Sequence, residues 1–150
     1  MDQEATADRQ PYAEMPDPVQ PVADYLSGCP AAVRKGLMDL RALGYQVAGE
    51  DARIGPLHET LKWGEPSYLT DVTRSGTTLR LAAKKTMPDT YGLFFNCRTS
   101  IAERVTDLYP NTFVFDGKRG LLFSAGRELP VEEVKACISL VLTYRLGGLF

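Results

Sequence analysis

Glu59-Thr60-Leu61-Lys62-Trp63-Gly64-Glu65-Pro66-Ser67-Tyr68-Leu69 decides the fold. It holds the only Trp, and the only His, His58, immediately precedes it. Leu61 and Trp63 alternate with Thr60 and Lys62, the period of a half-buried strand. Gly64-Glu65-Pro66 predicts the turn that ends this strand, because Gly opens positive φ and Pro fixes φ near about −65°. Ser67-Tyr68-Leu69 then resumes an extended run. On this pattern Trp63 and Tyr68 flank a turn and pack into the core or the turn itself, or else line a groove beside it.

Outward from this stretch the period changes. Upstream, Val33, Leu37, Leu40 and Leu43 make a helical stripe in a helix expected from Pro30 to about Val47. Gly36 weakens that helix by about 1 kcal/mol relative to Ala, which predicts a close neighbour there. A shorter helix is expected over Val19–Ser27. Downstream, strands are expected over Ser67–Thr73, Thr77–Lys84 and Thr90–Asn96, with Ser75-Gly76 as a hairpin turn. In the last of these Phe94 opposes Tyr91, Leu93 and Phe95, so this strand reads as central and partly covered on both sides. Ser100 and Glu103 have the spacing of a capping box, opening a helix over Ser100–Tyr109. Thr112–Phe115 and Leu121–Ser124 form a hairpin around Asp116-Gly117-Lys118-Arg119-Gly120. Pro130 opens a final helix that Gly147-Gly148 ends, with Glu132 and Glu133 in its first turn. Strands clustered in sequence and joined by turns predict an α+β fold: two layers, a mostly antiparallel sheet of five to six strands, and helices on one face.

At 150 residues the chain fits one domain. Residues 1–18 are polar and carry three prolines, so they read as a flexible tail that Tyr12 and Met15 could pin, and residues 19–150 as the domain. A net charge of −2 gives no general attraction to nucleic acid or to an anionic membrane. No apolar run approaches the roughly 20 residues that span a bilayer, and no signal peptide is expected. Cys29, Cys97 and Cys137 are few and far apart, which suggests reduced thiols in a cytoplasmic protein, each a small buried hydrophobe.

Glu59 to Tyr68 resembles the signature of the YdhG-like family of small bacterial domains: an acidic residue before a short apolar strand, an aromatic, Gly-x-Pro, then a second aromatic. The preceding helix with Leu40-Arg41 and the closing Leu129-Pro130 with its amphipathic helix extend the resemblance over about residues 20 to 146. It implies a domain whose relatives mostly have no assigned activity, with at least one described as a frataxin-like iron chaperone. The family often carries Lys-His after its third strand, where this chain has Lys84-Lys85.

His58 and Glu59 are the candidate metal ligands, with Glu65, Glu50 and Asp51 nearby, since iron accepts imidazole and carboxylate donors. Lys62, Trp63, Glu65, Tyr68 and Arg80 are the candidate ligand-binding residues. Lys62, Arg80, Lys84 and Lys85 could hold a phosphate or carboxylate, or simply form a solvated face. No nucleophile–base motif or phosphate loop is present. The expected function is a non-enzymatic binding or carrier domain for a small ligand or metal, by resemblance iron. The alternative is a protein-interaction module or homodimer, with Leu146, Leu149 and Phe150 as apolar end residues.

Overall fold

The computed structural model describes residues 15–149. Most of the expected tail, with Tyr12, and the terminal Phe150 lie outside the described residues. Four α-helices are described: α1 (Gln20–Ser27), α2 (Ala31–Glu50), α3 (Ile101–Leu108) and α4 (Val131–Leu142). The strands are β1 (His58–Lys62), β2 (Glu65–Leu69), β3 (Leu79–Ala83), β4 (Thr90–Phe94), β5 (Val114–Asp116) and β6 (Gly120–Ser124). A 3-10 turn over Tyr144–Leu149 follows α4.

The strands form one sheet of six in the order β1-β2-β3-β4-β6-β5, every neighbour antiparallel. The fold is therefore α+β, as the clustered strands predict. β4 lies in the middle, and every residue from Tyr91 to Phe94 is buried. Leu79, Leu81, Tyr91, Leu93 and Leu121 from the sheet share a single core cluster with Val33, Leu37 and Leu40 of α2, Ile101 and Val105 of α3, and Val134, Ile138 and Val141 of α4. Burying a side chain of this size contributes about 1.5–3 kcal/mol, so the helical stripes, not local propensity, hold the layers together.

Gly36 has the close neighbour its position implied. The Tyr91 ring crosses α2 there, and a Cβ at position 36 would overlap it. Burial, then the charge of Asp39, pushes the Tyr91 hydroxyl up to about 12.

Four expectations need correction. Trp63 is not a strand residue. Lys62 pairs with Glu65, so Trp63-Gly64 is the whole loop of the first hairpin, with φ of +53° and +76°. Two positive φ values are what a type I′ turn requires. Pro66 lies inside β2, buried and opposite Leu61. A two-residue loop makes Lys62–Glu65 a hydrogen-bonded pair, so Leu61–Pro66 falls on a non-hydrogen-bonded rung. The β2–β3 ladder begins only at Ser67, so the missing N–H of Pro66 breaks nothing.

Ser75-Gly76 is not a tight turn. Both residues are buried in the longer β2–β3 connection. Ser75 Oγ donates to the Leu142 carbonyl at 2.7 Å, and a Cβ on Gly76 would overlap the Leu142 backbone. The capping box does not form either: the Ser100 side chain makes no cap bond, and the Ser100 N–H donates to the Tyr144 hydroxyl at 3.1 Å. Finally, only Cys137 is fully buried; Cys29 is half-buried and Cys97 exposed.

Candidate functional site on the helix-free sheet face

Because side chains alternate along a strand, the register sorts the β1–β2 hairpin into two faces. Glu59, Leu61, Pro66 and Tyr68 face the helices. His58, Thr60, Lys62, Glu65 and Ser67 face the other way. An Arg, a carboxylate and an aromatic gather on each side.

On the helix side, Arg41 of α2 meets Glu59 through two bonds, Nε to Oε2 at 2.6 Å and Nη2 to Oε1 at 3.1 Å. Tyr68 Oη donates to Oε2 at 2.8 Å and the Val19 N–H to Oε1 at 3.0 Å. Arg41 also donates to the Pro16 carbonyl at 2.8 Å, contacts the Met15 sulfur at 3.2 Å, and lies 4.9 Å from the Tyr45 ring centroid. Its side chain and that of Glu59 are 1% and 4% exposed. Burial opposes ionisation of Glu59, yet the bonds from Arg41, Val19 and Tyr68 outweigh it and hold the carboxyl below its ordinary value. Burial, then the Glu59 charge, raises the Tyr68 hydroxyl. Every lone pair that matters here is already used, so this cluster anchors residues 15–19 to the domain and offers no ligand position.

On the helix-free side one row crosses the whole sheet: Thr60, Ser67, Arg80, Phe94, Gly120, Asp116. Phe94 lies flat along it, because Gly92 and Gly120 leave room; a Cβ at either would collide with the ring. The ring is only 6% exposed although no helix covers it. Arg80 is shared between two aromatics, its Cζ 5.7 Å from the Trp63 centroid and 5.8 Å from that of Phe94. Both distances fall within cation–π range. Arg80 Nη1 also donates to Glu65 Oε1 at 2.7 Å. Lys84 reaches Asp116 at 2.8 Å across the same face. Trp63 stands over this arrangement, 84% exposed.

The structure thus brings Lys62, Trp63, Glu65 and Arg80 to one place and separates Tyr68 from them on the opposite face. It also separates His58 from Glu59. His58 projects to the helix-free side, where Nδ1 lies 2.5 Å from Asp71 Oδ2, whereas Glu59 is inside with Arg41. Two adjacent residues on a strand point apart, so these two cannot grip one ion. Glu50, Asp51 and Glu65 are dispersed to Lys135, Arg53 and Arg80. Among the described residues, no group of three or more His, Cys, Asp or Glu is placed to hold a metal.

Two participants escaped the sequence reading. Arg41 lies outside the apolar stripe of Val33, Leu37, Leu40 and Leu43, yet its neighbours Leu40, Ala42 and Leu43 are all apolar and buried; a charge in such a run signals a buried partner. The alternation of β4 turns Phe94 away from Tyr91 and Leu93, but nothing local links it to Trp63 and Arg80.

Comparison with known protein families, curated proteins and solved structures gives no match. No helix among the described residues is long and apolar enough to cross a membrane.

Proposed function

We propose that this chain is a non-enzymatic binding domain whose contact element is the Trp63 turn on the helix-free sheet face. One observation carries the reading. Trp63 occupies a left-handed backbone position that Asn, Asp or Gly would fill more easily, and its indole is 84% exposed. Both features oppose stability, since a left-handed non-glycine residue costs about 1–2 kcal/mol and an exposed indole forgoes its burial energy. A residue that folding does not need is available for recognition. Arg80 beneath it, braced by Glu65 and Phe94, gives the indole a rigid polar base, and Trp and Arg are the side chains that dominate binding hot spots.

A binding role also suits what the reactive groups do. Burial, then the Glu133 charge, pushes the Cys137 thiol up to about 12, and burial raises that of Cys29. Thiols so shifted are poor nucleophiles. His58 is bonded to a carboxylate rather than to a Ser or Cys. Iron carriage, described for at least one member of the YdhG-like family that the chain resembles, draws no support from His58 and Glu59.

The second reading is self-association through the same face. Val114, 65% exposed on the far edge strand, lies on it too.

Trp63 is the only Trp, so its fluorescence reports its own site. Native mass spectrometry of the protein purified without chelator identifies any co-purifying species. Readdition of that species is expected to shift indole emission to the blue and to be abolished by Trp63→Ala. A bound species that leaves emission unmoved and survives Trp63→Ala overturns the proposal. A concentration-dependent blue shift with a sedimenting dimer selects self-association.

A further inference from the structure

At the opposite end of β2 from the Trp63 turn lies a polar cavity of about 390 Å³, lined by Thr70, Asp71, Arg74, Thr77, Thr78 and Arg145, among others. Its walls come from distant parts of the chain, the β2–β3 connection and the segment after α4, and four bonds join that connection to the end of α4 and to Arg145. Ser75 Oγ donates to the Leu142 carbonyl at 2.7 Å and the Thr77 N–H to the Val141 carbonyl at 3.0 Å. The Arg145 N–H donates to the Ser75 carbonyl at 2.8 Å, and its Nε to the Gly76 carbonyl at 3.1 Å. The last of these fixes the guanidinium by its inner nitrogen, and among the described residues no bond reaches either outer nitrogen.

Arg74 is held in a left-handed conformation, φ +58°, by its own N–H bond to the Thr70 carbonyl at 2.6 Å. Arg41, Arg53, Arg80 and Arg119 each meet a carboxylate. Arg74 and Arg145 meet none among the described residues. The cavity's one carboxylate, Asp71, is bonded to His58. Two guanidinium groups therefore share one cavity with a single carboxylate, a local excess of positive charge in a chain whose net charge is −2.

We infer that this cavity is a phosphoryl-binding site. The excess of guanidinium over carboxylate favours an anion, and phosphate oxygens match the planar donor fork of guanidinium. Threonine hydroxyls on the cavity wall add neutral donors. The volume exceeds that of a bare phosphate, leaving room for the carbon portion of a small phosphomonoester.

The test is calorimetric titration of the full chain with inorganic phosphate and glycerol phosphate, and flotation with vesicles containing phosphatidate to examine the headgroup source. Arg74→Asn removes the cation while tolerating the left-handed backbone. Arg145→Gln is the second variant, with circular dichroism confirming its fold. Saturable millimolar or tighter binding of one phosphoryl source, weakened about tenfold or more by Arg74→Asn, is the expected result. Absence of saturable binding to all three, or unchanged affinity in folded Arg74→Asn, overturns the assignment. Trp63→Ala leaves phosphoryl binding unchanged, which keeps this site distinct from the turn.

Discussion

The two sides of the β1–β2 hairpin use the same ingredients to opposite ends. Inside, Arg41, Glu59 and Tyr68 are sealed from water, with the ion-pair side chains 1% and 4% exposed. Outside, Arg80 and Glu65 repeat the pair beneath Trp63, at 21% and 32%. Distances are alike, 2.6 and 2.7 Å. Solvent makes the difference. A desolvated ion pair cannot lose one member without leaving an orphaned charge, whereas an exposed pair is replaced by water at little cost. The inner cluster therefore belongs to folding and the outer one to recognition.

The contrast breaks if the inner cluster proves dispensable. Arg41→Ala is expected to destabilise the domain by about 3–5 kcal/mol, the usual consequence of orphaning a buried charge. Urea unfolding measures it. The double replacement Arg41→Met, Glu59→Leu recovers only part of this loss. Tyr68 and the Val19 N–H then lack their acceptor, at about 1–3 kcal/mol for each buried donor left unpaired.

Next in size is Gly36→Ala. Helix propensity alone favours the change by about 1 kcal/mol. Overlap with the Tyr91 ring outweighs it, and a net loss of about 1–3 kcal/mol is expected from overpacking. Adding Tyr91→Leu to the variant restores the gain.

Acid sharpens the comparison. The Glu59 carboxyl is held below its ordinary value in the fold, so its contribution is complete above the unfolded-state pKa of about 4.3 and is lost as pH falls through the folded value. Stability of the native chain declines through that window. Glu59→Gln, less stable throughout, shows a shallower decline, read from denaturant midpoints across acid pH.

How much of this was legible follows from range. Period two in the hairpin and period three to four in α2 are local, so the layers, the antiparallel sheet and the centrality of β4 could be read directly. Gly36 could be read because a glycine in a helix interior has an energetic cost that demands a reason. The Arg41–Glu59 pair could not, because its members are 18 residues apart and belong to different elements. Trp63 was misplaced because a type I′ turn usually announces itself with Asn-Gly or Asp-Gly. Pro66 looked like the punctuation, and nothing local shows that it falls on a rung where its missing N–H does no harm. Ser75-Gly76 misled for the opposite reason: a genuine turn signal is used here to seat a loop against the end of α4.

The smallest effects lie outside, and one should change sign. Arg80→Ala is expected to cost under about 1 kcal/mol, since its partner can hydrate. Trp63→Asn goes further: it puts Asn-Gly at the two positions with φ of +53° and +76°, the pairing that a type I′ turn prefers. It removes a strained, largely exposed side chain and one side of the Arg80 sandwich, which at an exposed site is worth about 0.5–1 kcal/mol. Relief of about 1–2 kcal/mol in the left-handed backbone exceeds that loss, so the variant unfolds at equal or higher urea than the native chain while losing binding at the turn. A Trp63→Asn protein less stable than the native one would mean that the indole supports the hairpin, and recognition would lose its strongest argument.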